Sequence, residues 1–292
     1  MGKKIKKAVF PVAGLGTRFL PVTKANPKEM LPVVDKPLVQ YAAEEAVAAG
    51  IEVLIFVTGR NKRSIPDHFD KAYELESELE AKNKTEMLKV TREVLPPGVT
   101  CVYIRQSEAL GLGHAVACAE PVIGDEAFAI ILADDLIDDG KRGCIRQMVE
   151  VYEEYQCGVI GVEQVPREEV SSYGVVDGVA KGDRLWGIRG LVEKPAVEDA
   201  PSNIAVVGRY ILEASIFDQL RQTNRGAGGE IQLTDAIAGQ IQSGGSVMAY
   251  EFEGVRYDCG NKLGYLQANV ELALKHPELK DEFREYIDSL KT

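Results

Sequence analysis

The start of the chain limits its fold more than any other feature. Lys7-Ala8-Val9-Phe10-Pro11-Val12-Ala13 is apolar at nearly every position, without the alternation of a half-exposed strand. A short unbroken apolar run of this kind fits a strand buried on both faces. It stops at a glycine-bearing loop, Gly14-Leu15-Gly16-Thr17-Arg18, and a polar connection continues through Lys28. Pro37 then opens a helix whose apolar positions Leu38, Tyr41, Ala42, Ala46 and Ala49 keep a 3.6-residue period, with Glu45 as the exception; Gly50 closes it. Ile51 to Val57 is a second strand, apolar throughout. Strand, loop, helix and strand in that order imply a right-handed crossover and a parallel core.

The rest of the sequence extends this pattern. Strands are predicted at Thr100–Arg105, Ala127–Ala133, Gly158–Gln164, Gly174–Val179, Leu185–Val192, Ile204–Leu212 and Ser246–Phe252. Helices are predicted at Lys141–Tyr155, Ser215–Arg221, Gln232–Ser243 and Gly260–Leu274. The expected fold is α/β, with a Rossmann-like, mixed but mostly parallel central sheet flanked by helices. No repeat, low-complexity tract or linker divides the 292 residues, so a single domain spanning 1–292 is expected, with two appendages. One is a charged helical insertion at about 60–95, where residues 71–92 carry five acidic and five basic side chains. The other is a C-terminal helix within 276–292, with Leu279, Phe283, Ile287 and Leu290 on a narrow apolar seam. That seam could dock on its own domain or on a neighbouring subunit.

Charge and cysteine content exclude several functions. With 34 Lys+Arg against 45 Asp+Glu, the net charge of −11 disfavours nucleic acid and anionic membrane surfaces. An anionic substrate would need a local basic site. No apolar run approaches the roughly 18 residues of a membrane span, and the apolar stretch after MGKKIKK is too short for a signal peptide. Cys101, Cys118, Cys144, Cys157 and Cys259 are widely spaced and form no CxxC pair, which argues for reduced thiols in the cytoplasm.

Four segments could carry chemistry. A glycine loop after a strand can present backbone amides to phosphate. Here it is neither a dinucleotide fingerprint, which needs a third glycine where Phe19 stands, nor a P-loop, which needs GxxxxGK[ST]. What remains is Gly14-Leu15-Gly16-Thr17-Arg18 with Lys24 and Lys28 behind it, three cations that could balance a triphosphate. Asp134 and Asp135 leave the end of an apolar strand, where ligands of parallel sheets bind, and a carboxylate there suits Mg²⁺. Glu193-Lys194-Pro195 could supply a phosphate cation and an acceptor for sugar hydroxyls. Asp258, in Tyr257-Asp258-Cys259-Gly260, could be a second metal ligand or simply cap the next helix. A plain turn or an exposed lysine would explain any one of these segments alone.

Taken in order, the segments carry more. Ala13-Gly-Leu-Gly-Thr-Arg-Phe-Leu-Pro21, Pro27-Lys-Glu-Met-Leu-Pro32, Arg105-Gln106, Gly111-Leu-Gly-His-Ala115, Asp134, Tyr173-Gly174, Glu193-Lys194-Pro195, Gly229-Glu-Ile-Gln-Leu-Thr-Asp235 and Tyr257-Asp-Cys-Gly-Asn-Lys262 run from residue 8 to about 275. This series resembles the sugar-phosphate nucleotidyltransferase superfamily and, within it, the bacterial uridylyl branch. The resemblance implies uridylyl transfer from UTP to glucose 1-phosphate with Mg²⁺ as cofactor, by a cytoplasmic homo-oligomer (dimer or tetramer). It implies that Ala13, Gly14, Gly16 and Thr17 meet the nucleotide, that Glu29 and Gln106 read uracil, and that Gly111 lies against the base or ribose. Arg18 and Lys28 would face the triphosphate, and Asp134 and Asp258 would hold Mg²⁺. Gly174, Glu193 and Lys194 would form the sugar-phosphate side, and Glu230 with Gly229 would shape the glucose pocket. His114, inside a matching loop, is expected to be structural. A thymidylyltransferase and a metal-dependent glycosyltransferase stay open as alternatives, although the latter has no use for a loop gripping a triphosphate.

Overall fold

Residues 4–140 and 142–290 are described in the structure, a computed structural model; the side chain of residue 227 is not. The first residues of MGKKIKK, the expected helix start at Lys141 and the last two residues of the C-terminal appendage lie outside this set.

The strands in chain order are β1 (Lys7–Val12), β2 (Pro32–Val33), β3 (Lys36–Pro37), β4 (Val53–Thr58), β5 (Thr100–Arg105), β6 (Phe128–Ile131), β7 (Asp135–Asp138), β8 (Gly158–Gln164), β9 (Gly174–Gly182), β10 (Leu185–Glu193), β11 (Ile204–Leu212), β12 (Val247–Glu251) and β13 (Val255–Asp258). Nine of them form one sheet, ordered β5-β4-β1-β6-β11-β8-β12-β10-β9. β1 pairs in parallel with both β4 and β6, as the unbroken apolar run requires. β11 and β10 run against the other seven strands.

Successive β1 side chains point to opposite faces and build two cores. Val9 joins Ile55 and Ile130 on one side, while Phe10 joins Phe56 and Ile131 on the other. Helices Leu38–Ala48 and Cys144–Tyr155 cover the Phe10 face; Leu112–Ala117, Ile216–Gln222 and Leu233–Gln242 cover the Val9 face. Ala8, Val9, Phe10 and Val12 are fully buried, so β1 is the floor on which the glycine loop stands.

The charged insertion folds as three short helices, Ser64–Phe69, Tyr73–Ala81 and Thr85–Arg92, the last two joined by an Arg92–Glu76 ion pair at 2.8 Å. The C-terminal helix Lys280–Ser289 buries none of its residues. Its seam is therefore not sealed against its own domain. Among the described residues no helix is long and apolar enough to cross a membrane.

Among the elements that were not anticipated, one pair bears on the site. β7 and β13 pair antiparallel in a small sheet of their own, with Asp258 opposite Asp135. This pairing assembles the site.

Candidate active site

Strand β6 ends at Ile131, and the chain turns at Leu132-Ala133-Asp134 before entering β7. Three contacts fix that turn. The Cys259 amide donates to the Asp134 carbonyl at 2.8 Å, joining the end of β13 to the turn. Asp135 turns inward, accepting from Arg256 Nε at 2.7 Å and from the Gly208 amide at 2.8 Å. Arg209, fully buried, reaches under the turn, donating to the carbonyls of Leu132 (3.0 Å) and Asp135 (2.7 Å). Its charge is met by Glu45, with Nη2 to Oε2 at 2.7 Å. Glu45, the exception on the apolar helix face, thus has its partner in an arginine within an apolar strand.

Asp134 and Asp258 consequently share one cleft. A Cβ placed on Gly260 would stand 2.8 Å from Asp258 Oδ1, 3.0 Å from Asp134 Oδ2 and 3.5 Å from Arg18 Nη1. Glycine keeps open a cradle that a methyl group would fill. Asp258 is not the helix cap: Asn261 takes that role, its Oδ1 accepting from the Gly264 amide at 2.8 Å. Asp258 is aimed instead by the Gly260 amide and Asn261 Nδ2, each at 2.9 Å. Among the described residues no third His, Cys, Asp or Glu completes a cage. Two carboxylates around an open space suit Mg²⁺, which takes one or two carboxylates and fills its shell with water and substrate phosphate oxygens. The donor set and the cradle fit that ion.

Lys28 Nζ lies 2.5 Å from Asp134 Oδ2. Burial disfavours the charge on Asp134, but the Lys28 ammonium more than offsets it and holds the carboxyl below its usual range. Burial likewise works against Lys28, and the carboxylates of Asp134 and Glu29 raise it above its ordinary value. The lowered Asp134 contributes stability above its unfolded pKa of about 3.9, lost as pH falls through the folded value. The raised Lys28 contributes below about 10.4, lost as pH rises through its folded value. The stability difference between wild type and Lys28→Met should therefore be flat from about pH 5 to 9 and shrink below about pH 4. Urea unfolding across that range measures it, and a difference that grows towards acid would contradict the pairing.

The glycine loop wraps Lys28. Gly16 has φ +65°, and a Cβ there would meet Lys28 Cβ and Thr23 Cγ2 at 3.2 Å. Thr23 Oγ1 pins the loop by donating to the Gly16 carbonyl at 2.7 Å. Ala13 and Gly14 line a small neighbouring recess together with Lys62, and Thr17 is exposed on the loop. Glu29 lies deeper: it is 1% exposed, its Oε2 accepts from Lys62 Nζ at 2.8 Å, and its Oε1 is buried without a partner among the described residues. Burial pushes its carboxyl up, against the pull of Lys62 and Lys28. Lys62, rather than Glu29, reaches the surface of the recess. Gln106 donates through Nε2 to the Gly111 carbonyl at 3.2 Å and meets His114 Nδ1 at 3.0 Å, so His114 orients it. Gly111 has φ +100°, and a Cβ there would lie 2.6 Å from Glu230 Cβ.

The far wall comes from β9 and β10, which place Gly174 opposite Glu193. Glu193 Oε2 accepts from Thr234 Oγ1 at 2.8 Å, and Lys194 Nζ stands 3.3 Å from Glu193 Oε1. The Lys194 backbone has φ +47°, and its amide is tied to the Tyr173 carbonyl at 2.9 Å. Arg256 joins the two walls. Besides Asp135 it donates to Glu163 at 2.5 Å, and it stacks 5.3 Å from the Tyr173 ring centroid. Arg18, Asp134, Asp258, Gly174, Glu193 and Lys194 line one cavity of about 220 Å³.

Three placements differ from expectation, the first being Glu29, expected to read uracil but buried beneath the recess with its carboxylate on Lys62. Glu230 is exposed against Gly111 and does not line this cavity; Gln232, Leu233 and Thr234 form the wall there. Lys24 does not join Arg18 and Lys28 either, but faces another cavity. Arg256, Arg209 and Lys62 are not singled out in the sequence, and Thr234 appears there only within the run Gly229–Asp235, without a role. An arginine inside the apolar run Ile204–Leu212 was the available signal for Arg209.

The profile of the nucleotidyl transferase family matches residues 7–275. A UTP–glucose-1-phosphate uridylyltransferase of Bacillus subtilis, YngB, is 50% identical over 290 residues, covering 99% of this chain and 97% of that protein. A UTP-bound UGPase from Acinetobacter baumannii superposes with a TM-score of 0.91 at 46% identity, covering 97% of this chain and 98% of that one. A UDP-glucose pyrophosphorylase complexed with UDP-glucose gives a TM-score of 0.86 at 48% identity, covering 93% and 100%. The profile match, the superpositions and 50% identity over nearly the whole length agree: the chain belongs to the nucleotidyl transferase family and groups within it with the UTP–glucose-1-phosphate uridylyltransferases.

Proposed function

We propose that the chain transfers a uridylyl group from UTP to glucose 1-phosphate, forming UDP-glucose and pyrophosphate. The observation that carries this reading is the convergence of Asp134, Asp258 and Arg18 on the Gly260 cradle, with Lys28 on Asp134 and Lys194 across the same cleft. The nucleophile is a phosphate monoester oxygen whose second pKa is about 6, so it is largely dianionic at pH 7 and needs no general base. The barrier is repulsion. Two unit charges 4 Å apart interact by roughly 4 kcal/mol at an effective dielectric of 20, and several such pairs meet when the dianion approaches the α-phosphorus.

The residues answer that repulsion. Arg18 and Lys28 neutralise the triphosphate, and Lys194 holds the sugar phosphate in line for attack. Glu193, held by Thr234, accepts from glucose hydroxyls, with Gly174 leaving room beside it. Ala13, Gly14, Gly16 and Thr17 meet the nucleotide, and Gln106, set by His114 and Gly111, reads the base; the Glu29–Lys62 pair supports that wall. Asp134 and Asp258 would hold Mg²⁺, which would screen and polarise the phosphate oxygens. The enzyme works in the cytoplasm as a homo-oligomer. Five free cysteines and a terminal helix that buries none of its residues support that assignment.

A pyrophosphate-release assay tests the reaction, run with UTP, dTTP, ATP and GTP against three sugar 1-phosphates. UTP with glucose 1-phosphate should be fastest. Equal rates with dTTP would favour the thymidylyl alternative, and no pyrophosphate release from UTP would overturn the reaction. Within it, Lys194→Met should raise KM for glucose 1-phosphate about 10–100-fold, the value of a lost charge-assisted hydrogen bond. Lys28→Met should instead lower kcat by a similar factor. Unchanged kcat/KM in both variants would remove the two lysines from the mechanism.

A further inference from the structure

Beside the glycine loop lies a second, more open cavity of about 750 Å³. Lys24, Arg60, Arg63 and Arg105 line it, and Asp67 is its only acidic residue. Two asparagines, a serine and an alanine complete the wall. None of its four cations lines the catalytic cleft, and none of the cleft residues lines this cavity.

What marks this cavity is the convergence of four cations on one concavity. Acidic groups outnumber basic ones by 45 to 34, and many cations elsewhere find carboxylates, although among the described residues some, Arg18 included, do not. Lys36 meets Glu44, Arg142 meets Glu150, and Arg189 meets Asp177. Lys24, Arg60, Arg63 and Arg105 have no ion pair among the described residues, although Asp67 shares their cavity. Four like charges converging on one concavity repel one another unless an anion lies among them.

We propose that this cavity is a second anion site, distinct from the catalytic cleft, that takes a polyphosphate chain. The lining selects the class. Guanidinium forks pair well with phosphate oxygens, and three neutral polar side chains can add hydrogen bonds. No aromatic or large aliphatic side chain offers a face to a nucleobase or a lipid tail. The cavity shares Ala25, Asn26, Arg60 and Asn61 with the recess lined by Ala13 and Gly14. An anion bound there would therefore touch the segments that shape the nucleotide loop, and would change KM for UTP more than kcat.

Isothermal titration of the whole chain with inorganic tripolyphosphate tests the site, with and without saturating UDP-glucose, at about 50 mM salt. One equivalent should bind to the UDP-glucose-loaded enzyme. Arg63→Glu with Arg105→Glu should weaken that binding at least 10-fold while leaving UDP-glucose affinity unchanged. No uptake by the loaded enzyme, or uptake that survives the charge reversal, would overturn the proposal. ATP binding at least 10-fold more tightly than tripolyphosphate would overturn the polyphosphate assignment in favour of a nucleotide. If UDP-glucose itself fails to bind, the proposed reaction is at fault, and the unloaded titration with its charge-reversed control still decides the anion site.

Discussion

Asp258→Asn is expected to lower kcat about 10²–10³-fold and to raise the Mg²⁺ concentration needed for half-maximal rate at least 10-fold, with the fold intact. On the proposed reaction, loss of one of the two carboxylates that would hold the metal would remove several kcal/mol of transition-state charge stabilisation, and each 1.4 kcal/mol is roughly tenfold in rate. The substitution keeps the shape of the side chain, and its single carbonyl oxygen can still accept from the Gly260 amide; the bond from Asn261 Nδ2, which goes to the other carboxylate oxygen, is lost, while the backbone pairing of β7 with β13 should persist. Gly260→Ala probes the same geometry by volume. Its methyl would enter the space 2.8 Å from Asp258 Oδ1 and 3.0 Å from Asp134 Oδ2, removing the room between two intact carboxylates. Gly260 is not among the glycines with positive φ, so the effect would come from lost space rather than backbone strain. Steady-state rates against Mg²⁺ measure both. Wild-type turnover and metal dependence in both variants would separate the cradle from catalysis.

The parts of this site that could be read in the sequence were those written in local pattern. β1, β8 and β11 follow from runs of apolar residues because burial on both faces leaves little polar interruption to blur the pattern, whereas β5, at the sheet edge and half-exposed, follows only from its short run of β-forming residues. The glycine loop and Asp134 follow from where such runs stop. β7 and β13 were hidden for the opposite reason. Asp135-Leu-Ile-Asp138 and Val255-Arg-Tyr-Asp258 are four residues each, mixed in polarity and far apart in the chain, and their strand character exists only in the pairing. The same distance hid Arg256, whose partners Asp135, Glu163 and Tyr173 come from three other segments. Lys24 sits as close to the glycine loop in sequence as Lys28 does, yet its side chain faces the other cavity. Spacing along the chain gave proximity there, but not direction.

Arg209→Met is expected to destabilise the protein by about 3–5 kcal/mol, the usual effect of removing one partner from a buried ion pair. Glu45 would be left charged and only 9% exposed, with the Ile145 amide at 2.9 Å as its remaining donor. Replacing both partners, Glu45→Leu with Arg209→Met, separates electrostatics from architecture. If the pair were only a buried salt bridge, an apolar pair of similar volume would restore stability and activity alike. Arg209 also donates to the carbonyls of Leu132, Gly208 and Asp135, and the double variant removes that donor from all three, leaving the Gly208 and Leu132 carbonyls with only the amides of Leu132 and Asp135. Stability should therefore recover only in part in urea unfolding, and kcat should remain depressed because the turn carrying Asp134 has lost its underside. A double variant with full turnover would reduce Arg209 to a counterion for Glu45. Low turnover together with partly regained stability would make it the group through which helix Leu38–Ala48 sets the position of Asp134.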